Sequence, residues 1–292
     1  MCTRHLRNIM NYSDDLNQVE VIENGKPIEI SKEIKTYLKF HASRYYKTQK
    51  LISNFTNSIA AIPKVLDFGL NPYFSTLLMR KIKMDCIGLI GGFNLDGSID
   101  VKKDTCLTTK FKGEQFQINL KCGYNIEKES LPFKDNTFDM VFFLEIIEHL
   151  ILDPVFVLKE IGRVLKPKGI LICTTDNANS LIHLLKLVGN KSIYWPYNHT
   201  SFGDRHNREY LTYEIDALLK GLGYENVNVQ LTNLQPYLPD ESYKKFFGYL
   251  FANGLTMLPI FNRFKRHVFA TAIKGTPKEF YPGWLFMGKE DS

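Results

Sequence analysis

Residues 131–177 read LPFKDNTFDMVFFLEIIEHLILDPVFVLKEIGRVLKPKGILICTTDN, and this stretch decides the fold. Phe138 to Leu144 is almost wholly apolar, as expected of a strand covered on both faces by helices in a parallel sheet. The run stops at Glu145. Ligands of open α/β sheets bind beyond the carboxyl ends of strands, so Glu145, Glu148 and His149 stand where a site belongs. From Pro154 to Leu165 the residues Leu158, Ile161, Val164 and Leu165 recur at helical spacing. A Lys-Pro-Lys-Gly turn, Lys166 to Gly169, halts that helix, and Gly169 to Thr175 forms the next buried strand. The whole is a βαβ unit.

Upstream, Lys64 to Gly69 (KVLDFG) is a short apolar strand ending in an acid and a glycine. The helical stretch Phe74 to Lys83 and a second strand, Met84 to Ile90, follow it. These two halves, in this order, resemble the class I S-adenosylmethionine-dependent methyltransferases, whose members carry an acid-x-Gly-x-Gly-x-Gly loop after the first strand and an "EHL…RVLKPGG" run later. The resemblance implies a Rossmann-like, mostly parallel, seven-stranded doubly wound sheet that binds S-adenosyl-L-methionine. It places Asp67 and Gly69 against the amino acid end of that cofactor, Glu127 near its adenine amino group and Glu145 beside it. Asn71 and Tyr73 occupy the places of the two later glycines. Asparagine tolerates left-handed backbone, so Asn71 stands in for one of them. The acid that ends the family's second strand and holds the ribose hydroxyls has no counterpart here; Gly91 and Gly92 follow, and Asp96 is displaced.

At 292 residues and 44% hydrophobic, the chain can bury a sizeable core and is not a disordered protein. Five scattered cysteines lack a Cys-x-x-Cys pair, and Cys86 and Cys173 sit inside apolar strands as buried thiols. With a polar amino terminus lacking a signal sequence, this implies a reducing, cytosolic compartment. A net charge of +6 suits an anionic partner but includes no basic run of the kind nucleic-acid binders use.

Residues 1–58 are read as an N-terminal helical extension, with a helix from Ser31, its N-cap, to about Phe55. Residues 59–275 form the methyltransferase-like domain. Within it, 178–211 is an acceptor-binding segment and 241–264 an apolar covering helix, which could instead touch a membrane surface. Residues 276–292 are a tail. Thr212 to Leu222 reads as an amphipathic helix, with strands at 226–231 and 267–273.

The chemistry centres on Glu145-x-x-Glu148-His149 and on His206 in HNREY. His149 and His206 are the candidate bases, because imidazole titrates near neutral pH. The same four residues resemble the ligand sets of small-RNA 2′-O-methyltransferases and ubiquinone-pathway O-methyltransferases, which implies Mg or Mn as an alternative to the preferred metal-free reading. HNREYLTYEIDALLKGLGY more closely resembles methyltransferases of bacterial polysaccharide and glycolipid clusters. That resemblance implies O-methylation of a sugar or other small polar acceptor. The 178–211 segment follows a central strand's carboxyl end, and its aromatic faces for sugar rings and arginines for anionic groups make Trp195, Arg205, Arg208 and Tyr210 the acceptor-binding candidates. Transfer to an RNA 2′-hydroxyl is the runner-up, and a catalytically silent binding or scaffold protein is the third reading.

Overall fold

The computed structural model describes residues 2–56, 62–91, 104–194, 206–233, 255–256 and 258–279. In chain order its elements are α1 (Cys2–Asn17), β1 (Glu20–Glu23), β2 (Lys26–Ile28), α2 (Lys32–Thr56), β3 (Lys64–Phe68), α3 (Pro72–Ile82) and β4 (Asp85–Ile90). There follow β5 (Thr105–Phe111), β6 (Glu114–Cys122), β7 (Phe138–Leu144), α4 (Pro154–Val164), β8 (Leu165–Asp176) and α5 (Leu181–Val188). Last come α6 (Thr212–Gly221), β9 (Glu225–Thr232) and β10 (His267–Ile273), and short 3-10 turns occupy Ile147–His149 and Pro259–Phe264.

The strands form one sheet in the order β2-β1-β5-β6-β4-β3-β7-β8-β10-β9. Strands β6, β4, β3, β7 and β8 are mutually parallel, and β10 runs antiparallel between β8 and β9. From β3 the chain moves outward to β4 and β6 on one side, then returns to β7 on the other. The carboxyl ends of β3 and β7 therefore flank the switch point, where a ligand crevice opens. Phe138, Met140, Val141, Phe142 and Phe143 of β7 are all fully buried, each stabilising the fold by about 1.5–3 kcal/mol. One core lies between the sheet and α1, α2 and α3; the other lies under α4 and α6. Cys86 and Cys173 are buried thiols within these cores.

Among the described residues the sheet holds ten strands, three more than the seven of the expected doubly wound core, because β1, β2 and β5 extend it beyond β6. The extension is accordingly not all helix. Asn24 and Gly25 both take positive φ, 51° and 76°, in the tight turn joining β1 to β2. This is the Asn-Gly hairpin signal, carried on strands too short to show alternation. Helix α1 buries Ile9, Tyr12 and Leu16 at helical spacing, in a stretch otherwise too polar to announce itself. Strand β8 begins at Leu165 rather than after the Lys-Pro-Lys-Gly turn. The expected covering helix at 241–264 lies mostly outside the described residues, as do Asp96 and the tail from residue 280. No helix among the described residues is long and apolar enough to cross a membrane.

Candidate active site

The loop after β3 is built around Gly69, whose φ of +63° only glycine adopts without strain. A Cβ there would meet Ile146 Cδ1 at 2.5 Å, so the β3 loop packs directly on the β7 loop. Asp67, at the end of β3, is fully buried and accepts a hydrogen bond from Ser75 Oγ at 2.9 Å. Burial pushes its carboxyl up to about 7, against the partial opposition of that bond. Asn71 does not replace a glycine. Its φ is −99°, and its side chain accepts the Phe74 N–H at 3.1 Å, which makes it the N-cap of α3. Tyr73 turns into the core rather than into the loop and is 5% exposed. Glu127 is held against the loop beyond His149, its Oε2 accepting the Ile151 and Leu152 N–H groups.

At the end of β7, Glu145 takes a left-handed conformation, φ 57°, and its Oε2 lies 3.0 Å from Arg44 Nη1 of α2. Glu148, in the next turn, is completely buried. Thr175 Oγ1 donates to its Oε2 at 3.0 Å, while its Oε1 has no hydrogen-bond partner among the described residues. Desolvation, followed by the neighbouring Glu145, holds the Glu148 carboxyl well above the usual carboxylate range. The backbone carbonyl of Glu148 accepts the N–H groups of Asn207 and Arg208, at 2.7 and 3.2 Å, and Asn207 Nδ2 donates to the carbonyl of His149. These bonds fold the 206–208 segment onto the β7 loop, and the rings of His149 and His206 meet edge to face at 4.9 Å. Ligand atoms of Glu148, His149 and His206 lie within 4.8 Å of one another, as do those of Glu145, Asp176 and His267, and a third set, Asp176, His206 and Glu209, links the two.

Several further residues complete this cluster. Asp176 ends β8 by the same strand-end logic that singles out Glu145. His267 starts β10 directly opposite it, with Nδ1 3.0 Å from Asp176 Oδ1. Burial opposes ionisation of Asp176, yet His267, Arg266 and His206 together hold it well below the usual range. Glu209 Oε1 lies 3.4 Å from His206 Nδ1, and its Oε2 lies 2.9 Å from His183 Nδ1. Burial of His206 is outweighed by Glu209 and Asp176, which raise its pKa. Arg208 donates to Glu214 Oε1 at 2.7 Å and lies over the Tyr210 ring, while Glu214 also accepts the Leu211 N–H. Arg208 thus helps to start α6. Tyr210 is 3% exposed, and burial raises its hydroxyl pKa. Its ring is core, not a stacking platform for an acceptor. Trp195 and Arg205 lie outside the described residues.

A model of the methyltransferase domain matches residues 99–173. An uncharacterized protein of Methanocaldococcus jannaschii is 50% identical over 52 residues, 18% of this chain and 22% of its own length. A ubiquinone biosynthesis O-methyltransferase of Cereibacter sphaeroides is 26% identical over 149 residues, 49% of this chain and 56% of its own. The chain thus spans only part of the length of these curated relatives. A solved S-adenosylmethionine-dependent methyltransferase from Archaeoglobus fulgidus superposes with a TM-score of 0.47 at 15% identity, covering 82% of this chain and 99% of that one. The matched stretch runs from β5 into β8 of the doubly wound sheet, so the likeness to the methyltransferase domain is carried by part of the chain.

Proposed function

We propose that the protein transfers the methyl group of S-adenosyl-L-methionine to an oxygen of a sugar or other small polar acceptor. The observation that carries this reading is the meeting of the Gly69 loop with the Glu148–His149–His206 cluster through Ile146, at the switch point of the sheet. Asp67 and Gly69 would hold the amino acid end of the cofactor, which supplies an electrophilic methyl sulfonium. His206, with Glu209 3.4 Å from its Nδ1, and its neighbour His149 would take the acceptor's hydroxyl proton. Geometric positioning of acceptor and methyl donor supplies much of the rate in such transfers.

Glu148, His149 and His206 also fit a divalent cation. Among the described residues Glu148 Oε1 is buried without a hydrogen-bond partner, and a mixed carboxylate and imidazole set suits Mn²⁺ or Mg²⁺. Such an ion would lower the pKa of a bound hydroxyl. The same grouping supports the runner-up acceptor, the 2′-hydroxyl of an RNA end. The scaffold reading draws on Asn71 and Tyr73, which leave the loop with a single glycine.

Calorimetric titration with S-adenosylmethionine, then transfer of a labelled methyl group to nucleotide sugars or to short RNA, tests these readings. Saturable binding and labelled sugar are expected. Labelled RNA alone would select the runner-up, and no binding at millimolar cofactor would leave the scaffold.

A further inference from the structure

Beyond the histidine cluster, α2 meets the segment that leads into β10. In the register of the sheet His267 faces Asp176 of β8 on one side and Thr232 of β9 on the other. Asn177, directly after β8, fixes the backbone before His267. Its N–H donates to the Arg266 carbonyl at 2.8 Å, and its Nδ2 donates to the carbonyls of Lys265, at 2.7 Å, and Arg263, at 3.3 Å. Held in this way, the segment brings Arg266 to 3.9 Å from Asp176 and over the Phe40 ring of α2. It also brings the Lys265 charge to bear on Lys47 of the same helix.

The nearby acids do not balance these cations. Glu145 meets Arg44, and Asp176 meets His267 and Arg266. Lys47 Nζ donates only to neutral oxygens, Thr232 Oγ1 at 3.0 Å and the Asn233 carbonyl. Among the described residues no carboxylate forms an ion pair with Lys47 or Lys265, and both lysines are half-buried. Burial, and then the Lys265 charge, push the Lys47 ammonium down to about 8. His41 is likewise pushed down, by burial first and then by Arg44, His267 and Arg266. Like charges held together out of water disfavour one another, and an anion between them removes the conflict.

We propose that Lys47 and Lys265 hold a phosphate of the acceptor, so that the hydroxyl to be methylated belongs to a phosphorylated sugar or sugar nucleotide. This rests on the transfer reading above and names its substrate class. Two strand spacings, about 10 Å, separate Thr232 from Asp176, and Asp176 Oδ2 lies 3.8 Å from His206 Nδ1. A sugar ring bearing a phosphate group spans that gap, with its hydroxyl toward the histidines and its phosphate toward the lysines. Charge-assisted bonds from ammonium groups to phosphate oxygens are among the stronger hydrogen bonds.

Calorimetry with inorganic pyrophosphate on the full-length protein tests the subsite without any acceptor. Binding should be saturable, and Lys47→Met and Lys265→Met should each weaken it by about tenfold or more. Lys50→Met, an exposed lysine of the same helix, should stay within about twofold. S-adenosylmethionine affinity should be unchanged in all three variants. In methyl transfer to a panel of sugars offered with and without phosphate, label should appear on the phosphorylated forms. No saturable pyrophosphate binding, binding indifferent to both lysines, or equal labelling of the unphosphorylated sugars would overturn the proposal and leave the transfer reading standing. So would a short RNA that displaces pyrophosphate where sugar phosphates do not. Absence of S-adenosylmethionine binding in the unaltered protein overturns both readings. Should Lys47→Met fail to fold, Lys265→Met decides alone, because Asn177 holds Lys265 by its backbone carbonyl.

Discussion

At the scale of single residues, the two most informative positions are Asp67 and Gly69. Asp67 has a folded-state pKa of about 7 against an ordinary value of 3.8. A raised carboxyl pKa means that the folded chain keeps a proton the unfolded chain has released. Stability therefore falls as pH rises from about 4 to about 7 and is level above that, by at most roughly 4 kcal/mol. Asp67→Asn removes this dependence, so its stability relative to the unaltered protein should climb across that window in urea melts. An identical pH slope in both proteins would place Asp67 in a more hydrated setting. Gly69→Ala pushes a methyl against Ile146 at a positive φ and should cost about 1–2 kcal/mol. It should also weaken S-adenosylmethionine binding in a calorimetric titration; full affinity in the folded variant would rule this loop out as the cofactor cradle. Both residues were legible because a strand ending in Asp-x-Gly has a local signature. Arg44 and His267 were not, since each acquires its meaning from a partner on another element, whereas Asp176 shares the strand-end signal of Glu145 and Glu209 stands at His-x-x-Glu spacing from His206. Asn71 was misread for a related reason: asparagine suits both a left-handed loop and an N-cap, and the Phe74 N–H settled which.

At the scale of elements, α2 bridges the sheet's two halves. Tyr45 stacks on Phe74 of α3 with ring centroids 4.7 Å apart, Arg44 meets Glu145 after β7, and Lys47 Nζ donates to Thr232 Oγ1 at the end of β9. Tyr45 is 6% exposed, and Tyr45→Ala should lower stability by about 3 kcal/mol or more, read from the midpoint of chemical unfolding. A loss below 1 kcal/mol, roughly the level of a surface change, would show that the extension docks independently of this stack. The helix itself was predicted within two residues, from Ser31 at its start and the recurrence of Leu38 and Tyr45. Its reach across the carboxyl ends of the strands was not, because amphipathic spacing says which face is buried and nothing about what it is buried against.

At the scale of the whole molecule, the doubly wound core could be read from alternating apolar runs and helical stretches, each of which is local in sequence. The additional edge of β1, β2 and β5 could not, since it pairs a hairpin near the amino terminus with strands some eighty positions later in the register Val21↔Thr109 and Glu23↔Leu107. The tie between Lys47 and Thr232 is longer still, joining residues 185 positions apart. That span carries a consequence for the order in which the protein is made. Synthesis runs from the amino terminus, and α2 emerges well before the strands it crosses. It can settle on α3 early, but its far end has nothing to hold until β9 has left the ribosome. Closure of the roof over the strand ends is therefore a late event in the life of each new chain, and a chain that stops short of β9 carries Lys47 without the oxygens that receive it.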